Sequence, residues 1–294
     1  LKLASGYGRA LPAGYIENVS PQIAANDVEH LAALKGPDDL RLSLHRSRHV
    51  PAGEGRLRLN LYRQLNDIPL SDALPLMENM GLRVISEHPY RLYAHSNLMY
   101  IQDFEVETSN PDADIADVDE DFENAFARIW HGDAENDGFN RLILGAGLSW
   151  RQVAMLRAYS KYLQQVGVPF SQSYVEETFN RYPVLARLMV ELFEARFDPT
   201  TGREGKAEVK AGMERLRSQF ARLVAGDEVL MAALEPVVAS RTGKREVQIA
   251  ATRNTLMSLL DRVSSLDEDR ILRSFMGVIE ATLRTSYYQQ GDDG

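Results

Sequence analysis

Leu40, Leu42 and Leu44 alternate with Arg41, Ser43 and His45, and Leu57, Leu59 and Leu61 alternate with Arg56, Arg58, Asn60 and Tyr62. A period of two predicts a pair of half-buried strands. The intervening Pro51-Ala52-Gly53-Glu54-Gly55 suits an antiparallel hairpin connection. Ahead of the pair, Ser20-Pro21 supplies an N-cap and a first-turn proline for a helix that carries Ile23, Val28, Leu31 and Leu34 and ends near Gly36. Behind it, Ser71 caps a second helix with Leu74, Met77 and Met80. Pro75 falls in or next to its first turn, where proline is tolerated, and Gly81 closes it. Leu82 to Leu92 and Leu98 to Val106 read as two further strands around a polar turn at His95-Ser96-Asn97. The order helix, strand, strand, helix, strand, strand predicts an α+β domain over residues 20–108. It would be ferredoxin-like in a permuted order, a four-stranded antiparallel sheet with two helices on one face.

From about Val118 the period becomes helical. Phe122, Phe126, Ile129 and Trp130 share one face, and Ser149-Trp150-Arg151-Gln152 reads as a capping box ahead of Val153, Leu156, Tyr159 and Leu163. A second box, Ser173-Tyr174-Val175-Glu176, opens the next helix. Pro183 starts one through Leu185, Leu188, Leu192 and Phe193 that Asp198-Pro199 ends. Val209, Met213, Leu216, Phe220 and Leu223 follow coiled-coil-like spacing, and the last helices carry Leu256 and Leu260, then Ile271 and Phe275. This predicts an all-α helical bundle over residues 118–290, without a repeat of fixed length. Residues 109–117 read as an acidic linker, and residues 1–19 as a linker or remnant of a preceding domain.

The chain has 294 residues, a net charge of −9 and no cysteine. The charge argues against nucleic acid as a partner, and the missing thiols exclude disulfides, thiolate zinc sites and cysteine nucleophiles. No apolar run is long enough to span a bilayer and the first residues lack the apolar core of a signal peptide, so a cytoplasmic protein with no membrane partner is expected. The non-methionine start and abrupt end read as a piece cut from something longer. Between Asp103 and Asp137 there are 13 acidic residues and one basic one, Arg128, but no EF-hand spacing. That stretch reads as a solvated linker and a helix start whose charge suits the helix dipole, not as a metal site.

Leu142-Ile143-Leu144-Gly145-Ala146-Gly147-Leu148-Ser149-Trp150 imitates a dinucleotide fingerprint, yet Trp150 stands at the third glycine position. A helix C-cap glycine followed by a new N-cap is the plainer reading. None of the six histidines falls in a His-Glu-x-x-His arrangement, and there is no Gly-x-Ser-x-Gly elbow. Tyr159, Tyr162, Tyr174 and Tyr182 with Arg157, Lys161 and Arg181 have the spacing of helix packing with snorkelling cations. No catalytic, cofactor or metal residue is assigned.

Two long runs carry a family resemblance. Pro69-Leu70-Ser71-Asp72-Ala73-Leu74-Pro75-Leu76-Met77-Glu78-Asn79-Met80-Gly81 through Glu87-His88-Pro89-Tyr90, and Ser149-Trp150-Arg151-Gln152 through Phe170-Ser171-Gln172-Ser173-Tyr174, resemble the large bacterial NAD-specific glutamate dehydrogenases. The ending, Asp269-Arg270-Ile271-Leu272-Arg273 to Leu283-Arg284-Thr285-Ser286-Tyr287-Tyr288-Gln289, resembles the stretch just ahead of that family's catalytic domain. The resemblance implies a last ACT-like module plus helical motifs, with the catalytic core beyond Gly294, NAD as a cofactor of the parent enzyme only, the rest of that chain as partner, and a homo-oligomer. ACT modules elsewhere bind amino acid effectors, which makes Asp67, Ser71, Asp72, Asn79 and Gly81 the candidate effector residues. The loop Asp67-Ile68-Pro69-Leu70 departs from the usual Asp-x-Pro-Gly, since leucine removes the close backbone approach that glycine permits.

Overall fold

The two leucine-alternating segments form β1 (Arg41–Arg46) and β2 (Arg56–Gln64), paired antiparallel with Leu42 opposite Leu61 and Leu44 opposite Leu59. The structure is a computed structural model that describes residues 4–8, 10–46, 56–108 and 119–289; the expected hairpin loop at 51–55, the linker at 109–117 and Gly294 lie outside the described residues. After β2 come helix α4 (Leu70–Asn79) and the long strands β3 (Leu82–Ala94) and β4 (Asn97–Thr108), giving one antiparallel sheet in the order β1-β2-β4-β3. β3 and β4 join through a two-residue turn in which His95 and Ser96 both have positive φ, 50° and 65°. That geometry matches the strand twist and normally selects asparagine and glycine. The four-stranded antiparallel sheet and the helical remainder are as the sequence pattern predicts.

One feature of that reading is corrected by the register. Residues opposite one another across paired strands share a face, so Leu42, Leu44, Leu59, Leu61, Gln102 and Phe104 face one way and Ser43, Asn60, Tyr62, Asp103 and Ile101 the other. The helix at Pro21–Ala33, preceded by two short helices, Ala4–Tyr7 and Ala13–Asn18 (α3, α1 and α2), lies on the second face. There Asn26 donates to the Ser43 hydroxyl at 3.3 Å, and His30 stacks on Tyr62 with ring centroids 4.8 Å apart. Helix α4 lies on the leucine face, where the Gln102 amide holds both the N–H and C=O of Ile68 at 2.7 and 2.9 Å just before the helix. Its companion is α5 (Asp119–Trp130), which the periodicity had placed in the helical domain. Glu123 accepts from the backbone N–H of Leu44 at 3.2 Å and the Trp130 ring lies under the Arg63 guanidinium. The two-helix layer is therefore α4 and α5, and α3 forms a third layer behind the sheet.

A fully buried carboxylate fastens α3 to the sheet. Asp27 accepts hydrogen bonds from the hydroxyls of Tyr15 and Tyr62 and, at 3.2 Å, from the Asn60 amide. Burial, and then the Asp27 charge, raise both tyrosine pKa values, so the hydroxyls stay donors. Apolar packing of Val28, Leu31, Leu92 and Ile101 surrounds them.

The chain divides into two units, Leu1–Asn136 and Asp137–Gly294, later than the boundary at 117/118 drawn from composition. The second contains α6 (Arg141–Ala146), α7 (Trp150–Gln165), α8 (Gln172–Arg181), α9 (Pro183–Phe197), α10 (Lys206–Val224), α11 (Glu228–Ser240), α12 (Arg245–Leu260) and α13 (Leu266–Ala281). Gly147, with φ +61°, ends α6, and Ser149 and Gln152 form the expected capping box of α7. The cap of α8 is Ser171, not Ser173. Helix α9 is buried nearly all round and packs against α6, α8, α10, α12 and α13, as an all-round apolar helix must. Its two buried ions are paired: Glu191 accepts from Arg187 at 2.7 Å and from Arg241. Burial raises the Glu191 pKa, but Arg241 and Arg187 outweigh it and hold the carboxyl below its usual range.

Candidate functional site

The five predicted effector residues sit at the two ends of α4. Asp67 is exposed in the loop after β2, and its neighbour Ile68 is buried. The helix starts at Leu70 with Pro69 in the cap position, so Ser71 belongs to the first turn and does not cap it; its hydroxyl donates to Asp72 at 3.1 Å. At the other end Asn79 donates to Asn136 at 3.0 Å, and Gly81 takes the left-handed conformation, φ +85°, that leads into β3. Ten helical residues separate the ends by roughly 15 Å. Asp67, Ser71 and Asp72 thus form one exposed polar group and Asn79 with Gly81 another. The N–H groups of Asp72 and Ala73 go to the Pro69 carbonyl, at 2.9 and 3.1 Å, and the dipole at a helix start suits an anionic group such as a carboxylate.

The second unit holds a concavity that periodicity did not disclose. An open groove of about 960 Å³ runs between α7, α13 and the segment that follows α13. Small residues line it from both helices, Ala154 and Ala158 on α7 and Gly277 and Ala281 on α13, beside the buried Met155 and Phe193. Its rim is aromatic, with Trp150, Tyr162 and Tyr287. Arg151 donates to the Tyr287 carbonyl at 2.6 Å with its guanidinium 5.2 Å from that ring, and the Tyr159 hydroxyl meets the Thr282 hydroxyl at 3.0 Å. Arg196 donates to the carbonyls of Glu280 and Thr282, and Tyr287 sets its edge on Phe193 with centroids 5.2 Å apart. Burial, with the nearby Glu194 charge, pushes the Tyr287 hydroxyl up to about 12, so it stays protonated at neutral pH. The segment after α13 is thereby held as a fixed wall.

Other singled-out residues take structural places. Arg157, read as a snorkelling cation, is buried and grips Asp137 with two nitrogens at 2.6 and 2.8 Å, while Arg181 pairs with Glu268. Both partners are far off in sequence, so local spacing held no sign of them. Of the acidic cluster, Asp117 lies outside the described residues and Glu123 caps the β1 edge. Among the described residues no three His, Asp or Glu side chains gather as a metal site, and no helix is long and apolar enough to cross a membrane.

Comparison with known proteins follows the same segmentation. Models of glutamate dehydrogenase helical motif 2, ACT3 domain and helical motif 3 match residues 1–34, 39–119 and 134–199, and that of the bacterial NAD-glutamate dehydrogenase catalytic domain matches 255–294. The chain is 38% identical over 293 residues to the NAD-specific glutamate dehydrogenase of Halomonas elongata, 35% over 290 residues to that of Pseudomonas aeruginosa and 31% over 293 residues to that of Mycobacterium tuberculosis. These alignments take in 97–99% of this chain but only 15–16% of each relative. The ACT3 match begins after α3 and ends at Asp119, the first residue of α5. The catalytic-domain match begins within α12 and takes in α13 and the groove wall, the ending that resembles the stretch just ahead of that family's catalytic domain.

Proposed function

We propose that this chain, which belongs to the large NAD-specific glutamate dehydrogenases as the region from their second helical motif into the start of their catalytic domain, serves as a regulatory and assembly segment of such an enzyme. In this proposal the parent enzyme is a cytoplasmic homo-oligomer that converts L-glutamate and NAD to 2-oxoglutarate and ammonium. The segment itself holds no NAD and works on the rest of the parent chain.

The observation that carries the reading is the fastening of α3 to the sheet through Asp27. A free-standing sensor module has no need of a helix bonded across its open sheet face to two buried donors, Asn60 and Tyr62, whereas an element that transmits position from one motif to the next does. The test is Asp27→Asn in the full-length enzyme. The expected result is altered oligomer mass by light scattering or an altered dependence of rate on effectors, with KM for NAD unchanged. An enzyme with unchanged assembly and unchanged regulation would refute the reading. A melting screen against amino acids addresses the sensor alternative: a rise with one amino acid that Asp72→Ala and Asp67→Ala abolish would assign the N-terminal end of α4 as an effector site. At one hundred times its dissociation constant such a ligand adds about 2.7 kcal/mol.

A further inference from the structure

We infer that the groove between α7 and α13 is the seat of a helix from the catalytic-domain part of the parent chain that follows Gln289. The inference rests on the proposed placement of this chain inside a longer enzyme. Its first support is the run of small residues that line the groove. A Cβ added at Gly277 would meet nothing within 4 Å, so no neighbour in this unit requires the glycine. Yet glycine inside a helix costs about 1 kcal/mol relative to alanine. Ala154 and Ala158 on one helix, and Gly277 and Ala281 on the other, recur at four-residue spacing and face the same space. Small residues in that spacing let a third helix axis come close, because interaxial distance is set by the side chains at the crossing.

The second support is charge. The lining contains Arg151 and Arg284 and no carboxylate, in a chain whose net charge is −9. The occupant that fits has an apolar stripe flanked by neutral or acidic residues. The third is continuity. The catalytic-domain match covers α13 and the wall at Ser286 and Tyr287, and the chain takes in only about a sixth of its relatives, 16% of the Halomonas protein. One side of the groove is thus part of the domain whose remainder would fill it.

The test places a single thiol at Ala158 in the full-length enzyme. Ala158 is exposed here and this stretch has no cysteine of its own, so peptide mapping separates the new thiol from any elsewhere. Maleimide labelling of Ala158→Cys in the native enzyme, without added ligand, is compared with the same enzyme in denaturant. The expected result is native labelling slower by about thirty-fold or more, with protection that persists on dilution. A native rate within about five-fold of the denatured rate, protection lost as the oligomer dissociates, or protection that needs an added small molecule would each overturn the inference, the last two in favour of a second copy or a ligand. A second variant, Ala158→Arg, puts a bulky side chain at this exposed position and is expected to expose the Gly277 peptide to hydrogen exchange in the full-length enzyme; unchanged exchange would also count against a seated helix. Both readouts are independent of turnover, so docking can hold even where the regulatory reading fails.

Discussion

Replacing Asp103 by asparagine should stabilise the first unit at neutral pH. Asp103 and Asn60 are direct cross-strand partners between β4 and β2, both nearly inaccessible, and the Oδ1 atom of each has no hydrogen-bond partner among the described residues. Both oxygens are acceptors, so neither can satisfy the other. Burial raises the Asp103 pKa, and although the Arg58 bond to its other oxygen opposes this, burial prevails. Because the folded pKa lies above the ordinary 3.8, the folded state binds more protons than the unfolded one between the two values, and stability falls as pH rises through that window. An asparagine keeps an oxygen for Arg58 and turns an N–H toward Asn60. The new bond contributes about 1 kcal/mol and satisfies an acceptor whose isolation costs about 1–3 kcal/mol, while weakening the Arg58 bond from charged to neutral loses about 1 kcal/mol. Arg58 is a quarter exposed, which lowers that loss further. The expected net gain is about 1 kcal/mol at pH 7, shrinking toward zero as the pH approaches 4 and the aspartate takes up its own proton. Urea unfolding followed through Trp130 in a Trp150→Phe background measures it. A loss of more than about 1 kcal/mol at pH 7, or the same pH slope with and without the aspartate, would refute the reasoning.

In the turn between β3 and β4, Ser96→Gly relieves a left-handed serine and should raise stability by about 1 kcal/mol, read as a shift of the urea midpoint at constant slope. Glu191→Gln leaves Arg187 and Arg241 without their anion inside the helical unit and should cost about 3–5 kcal/mol in thermal or urea unfolding; a loss under about 1 kcal/mol would mean the network relaxes. Because the Glu191 carboxyl is held below its usual range, its contribution is present above the unfolded value near 4.5 and lost as pH falls through the folded value, opposite in sign to Asp103.

These effects mark the limit of what local pattern reveals. The strands were legible because their leucines alternate against polar residues over a period that only a half-buried strand requires. The side of the sheet on which α3 lies was not legible, because an amphipathic helix carries one apolar face and no label for its partner. Deciding it needed Asp27, whose partners Tyr15, Asn60 and Tyr62 stand 12, 33 and 35 residues away. The buried aspartate inside an otherwise apolar helical stripe was the available signal, since a carboxylate there must find several donors or not be there. Helix α11 was passed over for the converse reason: Val229 to Val238 is apolar with little polar contrast and contains Pro236, so no period stands out.

The groove was illegible in a different way. Its determinants are absences of side-chain volume: alanine and glycine look unremarkable in any helix, and Ala154 with Ala158 becomes meaningful only once α13 brings Gly277 and Ala281 alongside, more than 100 residues later. A core position is announced by a large apolar residue, whereas a seat for another element is announced by its lack, which composition cannot separate from an ordinary exposed helix face. The asymmetry also explains why the aromatic rim misleads. Tyr159 and Tyr162 were read as packing residues from their spacing, and Tyr159 is one, bonded to Thr282 and edge-on to Phe193. Tyr162 is half exposed and closes the groove from outside. One spacing thus serves two roles, and the structure separates them by what lies opposite each ring.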